Sequence, residues 1–430
     1  MPTIIGKRVH TAKYNYGWTI VGLAFCSLAF WFGIRTSFSV FYVAFCTEFP
    51  WQPSTIAGAQ SVALISAMVS APLFGALIDH FGYRKVILTG IVITAVGLGL
   101  SATVSSIFDL YVYYGIITGS SVMSVSIVTY SIVISKWFRE KRGFASGIAV
   151  SGMGLGMLVF VPLVQHCIST CGWQGAFWGL SLICGFFLFP ATFFLLRERN
   201  EYDSIRISDS QVGRNEDKSI FIEESSHISD LSLSKTVTMK AFWYFLSFAF
   251  FASIGVYIIL VHNVKCLVDR GMDAMVAAAL FAMVGAISSA FRIIWGFISD
   301  RIGREMAYSI GSISACIGIA FLLLYNIFGL IVFVIIYVIL FSIGWGVTAP
   351  SIMSSSADIF DGKQYGFIFG IVQSVINLAA AIGSFMGGYL YEKFQSYSAA
   401  FSMSIITLIL SCLFIWKAAP RKISSIENNM

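Results

Sequence analysis

Two arginines stand inside apolar runs, where a charge is expensive. Arg292 is the only charged residue between Ala274 and Ser299, in the stretch Phe291-Arg292-Ile293-Ile294-Trp295-Gly296. Arg35 lies in a similar run that starts at Trp18. A guanidinium at the centre of a bilayer costs about 2.5–3.5 kcal/mol on insertion scales, and such a residue is a functional-site hypothesis by default. Neither arginine has an acidic residue within its own run. The chemistry open to a deep, acid-free guanidinium is anion binding, because its planar fork matches a carboxylate bidentately. The structural alternative is a hydrogen bond to backbone carbonyls of a neighbouring helix, and it weighs more for Arg35 than for Arg292.

Other polar and aromatic side chains inside apolar runs could complete a pocket. Tyr130 follows Ser126 in one run, and Tyr257, His262 and Asn263 occupy another. Trp345 stands in a third, and Gln373 and Asn377 in a fourth. The last two are one helical turn apart and share a face. Each of these alone is more often interhelical glue than a ligand contact. His262 lies near the end of its run, where it could titrate.

A second constellation is a repeated loop. Gly75-Ala76-Leu77-Ile78-Asp79-His80-Phe81-Gly82-Tyr83-Arg84-Lys85 has a counterpart in Gly296-Phe297-Ile298-Ser299-Asp300-Arg301-Ile302-Gly303-Arg304, with the Gly-to-Asp and Gly-to-Gly spacings kept. The glycines permit a tight turn and close helix approach. The two aspartates, at helix ends among basic residues, can hold a neighbouring helix in one state and release it in another. A second pair of matched segments, Gly143-Phe144-Ala145-Ser146-Gly147-Ile148 and Gly366-Phe367-Ile368-Phe369-Gly370-Ile371, lies at nearly the same offset along the chain. Two motifs at one offset indicate an internal duplication.

The elements that position these residues follow from composition. The chain has 430 residues, 57% of them hydrophobic, 16% aromatic and only 11% charged. Its mean hydropathy is +0.83. There are too few charges to cover a soluble surface, and apolar runs of bilayer-spanning length recur throughout. We read twelve spans, at 18–45, 55–78, 86–105, 110–136, 143–167, 174–196, 241–264, 274–299, 306–325, 328–357, 365–390 and 398–418. The expected fold is an all-α membrane protein of twelve transmembrane helices in two pseudo-symmetric six-helix bundles, residues 1–196 and 241–430. The Ser- and acid-rich segment 197–240 between them reads as a mostly disordered cytoplasmic linker, with an amphipathic surface helix over part of it as the alternative. Lys7, Arg8, Lys13, Arg84, Lys85, Lys136, Arg139, Lys141, Arg142, Arg301, Arg304 and the C-terminal Lys417, Arg421 and Lys422 then share one side, which places both termini in the cytoplasm. Compact termini suit a bacterial cytoplasmic membrane.

The same residues exclude other classes. No phosphate-cradling Gly-rich loop ending in Lys-Ser or Lys-Thr is present, and no His-Glu-x-x-His, so neither an ATPase module nor a zinc protease is expected. The eight cysteines are scattered in apolar runs and read as small hydrophobes. Cys167 and Cys171 near His166 do not make a metal-ligand set. We expect no enzyme activity, no cofactor, no metal and no nucleic-acid partner. The net charge of +6 reflects where loop lysines and arginines sit.

The repeated Gly/Asp/Gly loops resemble the signature loops of the major facilitator superfamily, and the resemblance covers the whole chain. Within it, the sequence is similar to the monocarboxylate transporter-like and oxalate/formate antiporter-like group. Trp137-Phe138-Arg139-Glu140-Lys141-Arg142-Gly143-Phe144-Ala145-Ser146-Gly147 resembles that group's motif leading into the fifth span. Arg292, before Asp300, matches its substrate-binding arginine of the eighth span. Val261-His262-Asn263 with Asp269-Arg270-Gly271 resembles the bacterial branch. Two departures stand out: Ser288 replaces an acidic residue used in proton coupling by animal members, and Gln373 and Asn377 occupy the span where the oxalate/formate type carries a lysine. Animal members also carry a lysine near Arg35 and Thr36.

The resulting expectation is a secondary active transporter of a small organic anion, a monocarboxylate, working by alternating access as a proton symporter or an exchanger. Arg292 and Arg35 would bind the anion, with Tyr130, Tyr257, His262, Asn263, Trp345, Gln373 and Asn377 around it. Gly75, Asp79, Gly82 and Arg84, with Gly296, Asp300, Arg301, Gly303 and Arg304, would gate it. The alternatives are an exporter of drugs or amphipathic compounds and, from another class, a sensor on a transporter fold. The expected partners are the anion, protons and lipid, and the protein is expected to be monomeric.

Overall fold

A computed structural model describes residues 3–51, 53–138, 141–197, 233–360, 362 and 364–418. The expected linker therefore lies largely outside the described residues; of it, Leu233–Thr238 forms a short helix. The first half contains α1 (Thr3–Glu48), α2 (Pro53–Phe81) and α3 (Tyr83–Ser101). The fourth span, α4, runs over Ile107–Trp137. The stretch Arg142–Leu182 then holds two helices that meet at a kink, the fifth span and the first part of the sixth. It bends at Gly172, whose φ of 74° only glycine adopts at little cost. We call the two spans α5 (142–171) and α6 (173–195). The second half comprises α7 (Lys240–Asp269), α8 (Ala274–Ile302), α9 (Arg304–Phe328), α10 (Ile331–Phe360), α11 (Tyr365–Phe394) and α12 (Ser398–Ala418).

Among the described residues, 11 stretches are long and apolar enough to cross a membrane, and one of them, Arg142–Leu195, has 54 residues. A bilayer needs about 20 residues per helix, so that stretch serves twice. Twelve spans result, as the hydropathy pattern predicts. Many lipid-facing side chains are large and apolar: Phe186 is 80% exposed and Phe194 71%. In a bilayer such exposure costs nothing, which is why this surface needs no charges.

The fourth span departs from the simple helix expected at 110–136. It is π-helical over Tyr111–Thr118, tightens to a 3-10 turn over Val122–Val125 and breaks at Ser126, whose backbone is extended. The Ser126 hydroxyl then caps the next segment by accepting from Val128 N. Hydropathy is blind to such breaks, because it counts apolar residues and not hydrogen-bond register.

The halves meet where glycines let backbones touch. A Cβ on Gly147 of α5 would come within 3.2 Å of the Arg292 carbonyl carbon and the Ile293 Cα of α8. A Cβ on Gly370 of α11 would come within 2.5 Å of Pro72 Cα in α2. The sequence-matched glycines of the fifth and eleventh spans thus sit at equivalent crossings. Gly147→Val should wedge α5 from α8, lower stability by about 1–3 kcal/mol and slow any rocking of the halves. Gly285→Ala, where a Cβ meets nothing within 4 Å, should instead be neutral or stabilising. Thermal unfolding of the two variants in one detergent checks the opposite signs.

Candidate functional site

Arg292 lies in α8 against α5 and is only 2% exposed. One terminal nitrogen donates to the Val150 carbonyl at 2.8 Å, across the interface of the halves. The guanidinium lies over the Trp345 ring of α10, 5.1 Å from its centroid. Its Nε is buried with no hydrogen-bond partner. Among the described residues no carboxylate pairs with it. Tyr257 of α7 lies within range of its charge but makes no bond to it. Ser288, one turn away, spends its hydroxyl on the Gly285 carbonyl at 2.9 Å. The Trp295 indole N–H donates to the Ile343 carbonyl at 2.8 Å and fixes α8 against α10, so the Arg292–Trp345 pair is held by backbone as well as by packing.

Arg292 therefore carries a charge in a nearly dry place with one neutral acceptor and an aromatic face. A buried ion is tolerated only if paired or well hydrogen-bonded. Val150 and Trp345 supply part of that compensation, and the Nε donor remains without an acceptor. A ligand carboxylate completes the set chemically.

The other expected ligand residues are dispersed. Arg35 lines a small open cleft in the first half, with Trp31, Gln60 and Tyr114. The Tyr114 hydroxyl there donates to Gln60 Oε1 at 3.1 Å. Among the described residues the Arg35 guanidinium has no ion pair or hydrogen bond. Tyr130 is fully buried and its hydroxyl pairs with Ser27 at 2.6 Å, so it ties α4 to α1. His262 is bound to the Ser384 carbonyl at 2.9 Å and fits against Gly387, tying α7 to α11. Asn263 turns back to the Ile259 carbonyl of its own helix at 2.7 Å. These three side chains are engaged where they stand, and in this structure they do not gather around Arg292. Gln373 and Asn377 share a face as expected, joined by a long 3.5 Å contact. Their neighbour Ser374 donates to the Met68 carbonyl of α2 at 2.6 Å.

The repeated loops are both locks. Asp300 accepts from Gly143 N at 2.9 Å and Phe144 N at 2.8 Å, the start of α5. Asp79 accepts from Gly366 N at 3.0 Å and Phe367 N at 2.9 Å, the start of α11. Each aspartate thus sits on the N-terminus of a helix of the other half, where free N–H groups and the helix dipole favour an anion. Gly82 and Gly303 turn the chain with φ of 85° and 95°. Gly75 packs on Gly366 and Gly296 on Gly143, backbone against backbone. Arg304 pairs with Asp300 at 2.5 Å and with Asp358 of α10 at 3.0 Å. Two expected gating residues stand apart from these contacts: Arg84 donates to the Phe193 carbonyl at the end of α6, and Arg301 lies over the Phe297 ring.

Sequence reasoning missed Asp358. It joins Arg304 of its own half to Arg142 of the other at 3.0 Å each. The available signal was that it is the single charge in the tenth span. Tyr365 was missed as well; its hydroxyl meets Ser131 of α4 at 2.5 Å and Ser356 of α10 at 2.9 Å. Nothing in the sequence marks that tyrosine.

Two six-helix halves, locked together at one end by matched motifs around a buried cation, define a multi-pass membrane transporter. The chain belongs to the Major Facilitator Superfamily, whose family model matches residues 21–358 and again 271–429. It is similar to monocarboxylate transporter 13 of Rattus norvegicus, 23% identical over 435 residues that cover 96% of this chain and 94% of the relative. It is similar to monocarboxylate transporter 2 of Homo sapiens, 24% identical over 409 residues covering 89% and 81%. The fold is shared with the proton:xylose symporter XylE, with a TM-score of 0.73 at 17% identity over 94% of this chain and 96% of that one. It is shared too with the E. coli fucose:proton symporter FucP, with a TM-score of 0.67 at 13% identity over 93% and 99%. The superfamily consists of transporters, not enzymes.

Proposed function

We propose that this protein is a secondary active transporter of a small organic anion, a monocarboxylate, bound at Arg292. The observation that carries the reading is a buried, acid-free guanidinium with an unfilled Nε between the halves. The similarity to monocarboxylate transporters supports the same cargo. Positive-inside asymmetry makes the locked, basic end cytoplasmic, with both termini on that side. The structure then corresponds to the state closed toward the cytoplasm, and the Arg35 cleft belongs to the route from the other side. Transport follows when the Asp79 and Asp300 locks release and the halves rock about the site.

The test is uptake of labelled lactate, pyruvate, formate, oxalate, malate and a branched 2-oxo acid into proteoliposomes, with and without a proton gradient. A monocarboxylate should be carried, and unlabelled monocarboxylate should compete with it. Gradient dependence separates symport from exchange. If none of the panel is taken up, the carboxylate reading fails and amphipathic cargo becomes the one to test.

A further inference from the structure

The two locks are copies of one motif, yet their chemistry differs. Asp300 is ion-paired to Arg304, and Asp358 extends the pair to Arg142. Asp79 makes its two bonds to Gly366 N and Phe367 N, and among the described residues no cation is bonded to it. The repeat shows what changed. The residue after the second glycine is Arg304 in one copy and Tyr83 in the other; the residue before the receiving helix's glycine is Arg142 in one and Tyr365 in the other. Both arginines of the ionic lock have become tyrosines.

These replacements do not restore a charge partner. The Tyr83 hydroxyl donates to the Arg197 carbonyl at 2.7 Å. Tyr365 is held by Ser131 and Ser356. Lys136 faces Asp79 from α4, but its Nζ lies over the Tyr83 ring, 5.5 Å from the centroid, and is not bonded to the carboxylate. On α2 itself the neighbour is exposed His80, and on α3 Arg84 is turned to the Phe193 carbonyl.

Protonation therefore has unequal consequences. A proton removes the anion that both helix N–H groups favour and turns one acceptor oxygen into a hydroxyl. At Asp300 the Arg304–Asp358–Arg142 ties would still join the halves. At Asp79 no ionic tie remains, only neutral bonds such as Tyr365–Ser131 and Ser374 to the Met68 carbonyl. We propose that Asp79 is a proton-binding site on the basic side, and that its protonation releases α11 from α2 and opens the transporter toward that side. Acid there would then favour the form that loads anion from the same side, linking proton and anion movement without a carboxylate at mid-membrane. The anion part rests on the monocarboxylate reading; the opening does not.

The experiment separates the two. Spin labels at exposed Phe81 and Met306, one on each half at the basic end, report opening with no substrate present. Exposed Cys26 and Cys171 are first replaced by serine. Lowering the pH from about 8 to about 5.5 should lengthen the label distance in the parent. Asp79→Asn should show the long distance at both pH values. Tyr83→Arg, which copies Arg304, should keep the short distance at both. Asp300→Asn should still respond to pH. In proteoliposomes, pyruvate exchange should rise about threefold or more with acid on the basic side, and Asp79→Asn should lose that rise. A parent insensitive to pH, or an Asp79→Asn variant that responds as the parent does, overturns the proposal. If the parent moves no pyruvate, it is the carboxylate reading that fails for this cargo, and the label distances still decide the role of Asp79.

Discussion

Arg292→Gln should abolish carboxylate uptake while leaving the protein folded. Removing one member of a buried, hydrogen-bonded charge pair typically costs 2–5 kcal/mol or more of binding. On that scale binding of a carboxylate should weaken by about 30-fold to several thousand-fold. The stability change is the discriminating readout. If Arg292 were a structural ion-pair member, its loss would strand a buried acid and destabilise strongly. No such acid pairs with it among the described residues, and only the Val150 carbonyl and the Trp345 face lose a partner. Thermal unfolding of Arg292→Gln should therefore stay close to the parent or rise, since a desolvated charge is gone. Uptake unchanged in the variant would remove Arg292 from the site. A large loss of stability would make it a structural residue.

Asp358→Ala carries the other large effect. It leaves Arg142 and Arg304, whose side chains are only 7% and 10% exposed, without their shared carboxylate. Breaking a buried pair from one side costs about 3–5 kcal/mol. The cost falls on the locked arrangement, because the state opened at the basic end does not join α5 to α10 in this way. It should appear as a shift of the conformational equilibrium of about 100-fold or more, more than as global unfolding. Ser146, 1% exposed in α5 behind the lock, reports this. A cysteine placed there should react at least about tenfold faster with an impermeant thiol reagent added on the basic side of the Asp358→Ala protein than of the parent. Equal rates would mean that Asp358 does not hold the gate. Asp358→Asn, which keeps one of the two acceptor oxygens and no charge, should fall between them.

Membrane character, the helix count and the division into halves were written in the sequence, because a bilayer imposes a length and an apolarity that each segment must meet alone. The duplicated loops were legible for a similar reason: a tight turn needs glycine at fixed spacing, so Gly75, Gly82, Gly296 and Gly303 announce themselves. Arg292 was visible because a charge in an apolar run is costly and has to be compensated. What its surroundings contain was not visible. Val150 and Trp345 come to it from other helices, and no local pattern says which faces of α5, α8 and α10 will meet. The same limit hid Asp358, which reaches Arg142 far away in the chain, and it hid the partners that Tyr130, His262 and Asn263 find in this structure, Ser27, the Ser384 carbonyl and the Ile259 carbonyl. The two copies of the motif differ already in sequence, Arg304 and Arg142 in one and Tyr83 and Tyr365 in the other, but only the tertiary structure shows that the arginines meet at Asp358. Sequence spacing fixes where each aspartate sits on its own helix. Whether a cation reaches that aspartate depends on the residue after the second glycine, Arg304 beside Asp300 and Tyr83 beside Asp79; the further tie from Arg304 through Asp358 to Arg142 of the other half exists only in the packed interface.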